Sequence, residues 1–262
     1  MKFIILCYPR SGSTLLITAL GAHPLISQGM EILNPVLEGD DPWVHWRTST
    51  FKALYGEHET YLNQCGYLDD KRFDLSLLLR LFFKEFDCTK IMYDQIDPHS
   101  QVWKYLESLD DLRVIVLRRN IVEAAVSFRI AMDSNVWHIP TQNSYIWYYP
   151  EQEENPASPS LVYQREYFEW FFNHFCALEE FCVSKFRNHE TIFVDYHEMV
   201  SDWSNVIRAL QLHVGVNPVD IPMMFKKRTH GTIQELISNY DEISSFYQDH
   251  PVLAHQFDLA SL

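Results

Sequence analysis

Residues 3–16, FIILCYPRSGSTLL, constrain this chain more than any other stretch. An apolar run, Phe3–Tyr8, feeds directly into a short loop with one Gly, hydroxyl residues and Arg10, and a helical pattern follows from about Ser13 to Ala22. A buried strand that turns at once into a helix is half of a βα unit, which belongs to parallel sheets with crossovers. The free N–H groups at the start of such a helix, with hydroxyls and a guanidinium beside them, form a cradle for an anion. The same spelling also suits an ordinary capped turn with Ser13 as N-cap, although Arg10 among three hydroxyl residues exceeds what capping requires.

Two familiar loops are excluded by their spelling. A nucleotide-binding GxxxxGK[ST] loop needs a Lys after its second Gly, and none follows Gly12. A phosphatase loop with Arg six residues after its Cys fails because position 13 is Ser. Cys7 therefore reads as a small core residue.

The remaining chain continues the alternation. Strands are expected at Lys2–Tyr8, Lys90–Tyr93, Arg113–Leu117 and Thr191–Val194, and helices at about Ile121–Met132, Val162–Phe186 and Asp202–Val214. This predicts a single α/β domain over 1–262 with a central parallel sheet flanked by helices, a length compatible with one domain of this class. Residues 39–70 and 133–160 do not fit the alternation. The second is a Pro- and Tyr-rich stretch, and a loop that long in a compact domain is commonly functional. It reads as a substrate-binding loop or lid, where Trp137, Tyr145, Trp147, Tyr148 and Tyr149 either stack on sugar faces or pack the loop onto the core.

Composition removes other classes. The formal charge is −14, from 21 Lys+Arg and 35 Asp+Glu, which opposes nucleic-acid binding. The 5 Cys include no CxxC pair, and the 12 His show neither HxxxH nor HExxH spacing. No metal is therefore expected, and a reducing compartment suits the thiols. No span of transmembrane length is seen, and a strand expected from residue 2 leaves no room for a leader, so a cytoplasmic protein is expected.

A second strand–loop–helix, RVIVLRRNIVEAAVSF (113–128), repeats the logic of the first. Arg119 stands at a strand's carboxyl end, where open α/β sheets bind ligands. Ser127 lies eight residues on and returns to the side of Arg119 only if the helix starts promptly. A helix with a solvated Arg pair is the competing reading.

Taken together these segments resemble the sulfotransferases that use 3′-phosphoadenosine 5′-phosphosulfate (PAPS). PRSGST is similar to that family's 5′-phosphosulfate loop, and Arg119 with Ser127 to its 3′-phosphate motif. FVDYHEMVSDWSNVIRALQLHVGV (193–216) resembles the strand, acidic turn and helix that follow its core, and KKRTHG (226–231) its C-terminal basic motif. TIQELISNYDEI (232–243) is similar to the tail of bacterial carbohydrate sulfotransferases of the nodulation-factor type. Arg10 in place of Lys, and the absence of the cytosolic type's base histidine, incline the resemblance toward the carbohydrate and tyrosyl-protein branches.

The resemblance implies a P-loop-NTPase-like fold, PAPS as donor with its product PAP, and an alcohol or sugar as acceptor. Arg10, Ser11, Gly12, Ser13 and Thr14 would hold the 5′-phosphate; Arg119, Ser127, Lys226, Lys227 and Arg228 the 3′-phosphate. It also implies a Glu just beyond the first helix as general base. Glu31 is the first carboxylate in the chain, although Met30 stands between it and Gly29 where relatives join Gly to Glu. Without the family it would read as a surface Glu. Relatives include monomers and homodimers, and the sequence does not choose between them. A P-loop-like small-molecule kinase and a non-catalytic PAP-binding protein are the rival readings.

Overall fold

The computed structural model describes residues 1–34, 42–56, 73–134, 161–223 and 233–243. In chain order the elements are β1 (Lys2–Cys7), α1 (Ser13–Gly21), α2 (Pro42–Tyr55), α3 (Leu75–Glu85), β2 (Cys88–Met92), α4 (Gln101–Glu107) and β3 (Leu112–Arg118). After them come α5 (Ile121–Ser134), α6 (Arg165–Ser184), β4 (Thr191–Asp195), α7 (Tyr196–Ser201), α8 (Trp203–Val214) and α9 (Ile233–Leu236).

The four strands form one parallel sheet in the order β2-β1-β3-β4. Alternation along a strand sends successive side chains to opposite faces, and β1 is apolar on both. Phe3, Ile5 and Cys7 pack with α1 and α8 on one face, whereas Ile4, Leu6 and Tyr8 pack with α3, α4, α5 and α6 on the other. A strand buried on both faces must read as a continuous apolar run, which is why Phe3–Tyr8 was legible. α1 sits against the sheet with Leu15, Leu16, Ile17, Ala19 and Leu20 all buried. Cys7 is fully buried, as a core residue should be.

The chain leaves β1 toward β2 on one side, and β3 then lies on the other. The loops after β1 and β3 therefore part company at the carboxyl ends of two adjacent strands. Such a switch point opens a crevice in doubly wound sheets.

Several expected boundaries change. The long helix expected over Val162–Phe186 is α6, Arg165–Ser184, and the strand expected at Lys90–Tyr93 is β2, Cys88–Met92. Within the polar-aromatic stretch 39–70, where no element was expected, the chain forms α2, with Pro42 at its first position; proline's fixed φ suits that place. α3 and α4 were also not anticipated, though each has a side-chain cap: Asp74 accepts from Leu77 N at 2.9 Å and Ser100 from Val102 N at 3.1 Å. Ser13 is not the N-cap of α1. Gly12 takes that position at φ 94°, a left-handed conformation that suits glycine. Residues 57–70 of the first irregular stretch and 135–160 of the second lie outside the described residues, as do Lys226, Lys227 and Arg228.

Candidate active site

The loop between β1 and α1 is shaped by two left-handed residues, Arg10 at φ 65° and Gly12 at φ 94°. Gly12 leaves the first turn of α1 without a side-chain cap, so its leading N–H groups remain available to an anion. The ring of Tyr196, from α7, packs on the loop so closely that a Cβ on Gly12 would lie 2.5 Å from it. Ser11 Oγ is buried with no hydrogen-bond partner among the described residues, an orphan of the kind a bound oxyanion would satisfy.

On the β3 side, Tyr8 anchors the loop to its neighbour. Its hydroxyl accepts from Arg119 N at 2.7 Å and donates to Arg119 O, and burial keeps the phenol protonated. Asn120 caps α5, accepting from Val122 N at 3.0 Å and Glu123 N at 3.2 Å. The helix therefore does start promptly, and Ser127 returns to the loop: Arg10 Nε donates to Ser127 Oγ at 3.2 Å. Arg119 closes the cluster, with Nη1 donating to Arg10 O at 3.0 Å. Its Nε and Nη2 donate to Glu123 Oε2 at 3.1 and 2.9 Å. The guanidinium carbon lies 4.4 Å from the centre of the Tyr196 ring, within cation–π range. A cavity of about 480 Å³ opens beside Tyr8 and Arg119 toward α6, with Arg118, Glu179 and Arg187 on its wall.

On the β2 side, Glu31 is delivered by a segment hung along the edge of the sheet. Gly29 N donates to Cys88 O at 2.9 Å and Lys90 N to Met30 O at 2.7 Å. Met30, the residue interposed between Gly29 and Glu31, adopts φ 41°, and Thr89 Oγ1 donates to its carbonyl at 2.7 Å. Glu31 Oε1 pairs with Lys90 Nζ. Its Oε2 accepts from Asn34 Nδ2 at 2.8 Å and Gln95 Nε2 at 3.1 Å. Lys90 Nζ also donates to Thr14 Oγ1 at 2.6 Å, so the carboxylate is wired to the first turn of α1.

Arg10, Arg119 and Ser127 thus converge on one flank of the loop, and Thr14 and Glu31 on the other. Lys90, Glu123, Gln95 and Tyr196 had not been singled out in the sequence. Lys90 carried a signal, since a Lys inside an apolar strand is buried only when paired. His23, just past the end of α1, bonds Asn217 O through Nε2 at 2.9 Å and accepts from Leu25 N at 3.1 Å. Among the described residues no group of His, Cys, Asp and Glu is arranged to hold a metal, and no helix is long and apolar enough to cross a membrane.

A family model described as "Sulfotransferase family" matches residues 3–220, a span that includes the whole sheet and both flanks of the loop. The chain belongs to the sulfotransferase family. It is accordingly an enzyme that moves a sulfuryl group to an acceptor, and neither the kinase nor the non-catalytic reading is retained.

No curated protein matches this sulfotransferase in sequence. Solved structures to which it is similar include a sulfotransferase from Alicyclobacillus acidocaldarius, at 14% identity over 99% of this chain and 95% of that one, with a TM-score of 0.49. The sulfotransferase domain of the Synechococcus olefin synthase aligns at 16% identity over 83% and 74%, TM-score 0.47. A mouse sulfotransferase complexed with PAP aligns at 14% identity over 84% and 60%, TM-score 0.41.

Proposed function

We propose that this sulfotransferase takes the sulfuryl group of PAPS and passes it to a hydroxyl of a neutral sugar or small alcohol. The observation that carries the reading is the convergence of Arg10, Arg119 and Ser127 beside the uncapped start of α1. Residues more than a hundred positions apart supply two cations and a hydroxyl to one anion-ready turn.

The donor supplies an activated sulfuryl group on a phosphate leaving group. The N–H groups of Gly12 to Thr14, with Ser11 and Arg10, hold the 5′-phosphate and offset the charge that grows on it, an electrostatic contribution that needs no reorganisation. Arg119 and Ser127 grip the 3′-phosphate, joined by Lys226, Lys227 and Arg228. Glu31 takes the acceptor's proton. Residues 133–160 are the stretch assigned to acceptor binding; beyond Asp133 and Ser134, which end α5, they lie outside the described residues. The net charge of −14 favours a neutral acceptor over a polyanionic one.

Titration calorimetry without magnesium, comparing adenosine 3′,5′-bisphosphate with ADP, tests the donor. Preference for the bisphosphate supports the reading. Equal binding, or ADP binding that needs magnesium, overturns it. Transfer of labelled sulfate from PAPS to a panel of sugars and alcohols tests the acceptor class.

A further inference from the structure

Glu123 and His197 are not part of the ligand set proposed above, yet they enclose its key cation. Glu123 lies one turn after Arg119 on α5 and is only 12% exposed in its side chain. One of its oxygens takes both Nε and Nη2 of Arg119; the other meets His197 Nε2 at 3.2 Å. His197 is the second residue of α7 and is half exposed. Its backbone is fixed, because Asp195 accepts from His197 N at 2.8 Å.

Counting donors shows what this achieves. A guanidinium has five N–H groups in a rigid fork. Glu123 occupies two and the carbonyl of Arg10 a third. The two that remain belong one to Nη1 and one to Nη2, and stacking on Tyr196 fixes the plane in which they point. Both are available to phosphate oxygens.

The same carboxylate also cancels the charge of Arg119. Burial raises the pKa of Glu123, but the hydrogen bonds and positive charges of His197 and Arg119 outweigh it and hold the group at about 2. It therefore stays ionised wherever the enzyme is folded and working.

We propose that Glu123 and His197 are positioning residues for Arg119: the carboxylate aims the guanidinium at the 3′-phosphate, and His197 braces the carboxylate from its other oxygen. This rests on the reading of Arg119 as the 3′-phosphate ligand.

The test measures adenosine 3′,5′-bisphosphate and adenosine 5′-monophosphate by calorimetry on the full chain and its His197→Gln and Glu123→Ala variants. The wild type should prefer the bisphosphate, and that preference should weaken in E123A and, to a smaller extent, in H197Q. E123A removes a negative charge beside an anion, so charge alone predicts tighter binding; loss of positioning predicts a weaker bisphosphate preference. An unchanged or stronger preference in E123A overturns the inference. No preference for the bisphosphate in the wild type instead removes the 3′-phosphate reading on which it rests.

Discussion

Lys90 and Glu31 form an ion pair with side chains only 3% and 15% exposed, and the same Lys90 ammonium donates to Thr14 Oγ1 at 2.6 Å. A candidate base and the first turn of the phosphate-loop helix are thereby joined through one buried cation on β2. Removing one partner of a buried pair leaves the other charge without compensation, whereas removing both is far less costly. Lys90→Met should lower stability by about 3 kcal/mol, read from urea unfolding at pH 7. Adding Glu31→Gln to that variant should restore part of the loss, and a double-mutant cycle gives the coupling.

Glu31→Gln should separate chemistry from binding. The amide keeps an acceptor toward Lys90 but cannot take a proton, so kcat should fall by about 10²–10⁴. Affinity for adenosine 3′,5′-bisphosphate should stay within about threefold, since no phosphate contact is assigned to Glu31. Unchanged turnover would place the base elsewhere.

Gly12→Ala meets two penalties. A left-handed alanine costs about 1–2 kcal/mol, and its Cβ would fall 2.5 Å from the Tyr196 ring. Thermal unfolding should show a loss above the backbone cost alone, with weakened bisphosphate binding. In a Tyr196→Ala background the steric part should vanish and the backbone part persist.

Asp94 sits just past β2, and its Oδ1 is shielded from water with no hydrogen-bond partner among the described residues. Burial first, and then the charge of Glu31, raise its pKa from 3.8 to about 6. A carboxyl raised on folding favours the native state below its unfolded pKa, and that advantage is lost as pH rises through the folded value. Asp94→Asn should therefore gain stability relative to wild type between about pH 4 and 6, reaching on the order of 2 kcal/mol at pH 7. Melting temperatures across pH 4–7 measure it, and a constant difference would contradict the shift.

The parts legible in sequence share a physical property: their signal is local. The β1–loop–α1 unit could be recognised because a strand buried on both faces must be apolar throughout, and because a tight turn into a helix needs Gly12. The eight-residue spacing of Arg119 and Ser127 is read along the chain, whereas the prompt start of α5 under the Asn120 cap is a finding of the structure. α2 is not legible in the sequence because its polar and aromatic residues keep no clear helical face. The choice of Gly12 over Ser13 as N-cap could not be read from residue types that both suit the position.

By itself, then, the sequence determined a parallel α/β sheet, an anion-ready turn after its first strand, and a second basic turn after a later one. Only the tertiary structure decided that Arg10 reaches Ser127, that Lys90 ties Glu31 to Thr14, and that Glu123 and His197 enclose Arg119. Apart from Arg119 with Glu123, an i,i+4 pair one turn apart, each of these contacts joins elements brought side by side by strand order or helix packing. A polar side chain's partner across such a gap is set by burial, where an unpaired charge is costly, and no periodicity along the chain records which partner that is.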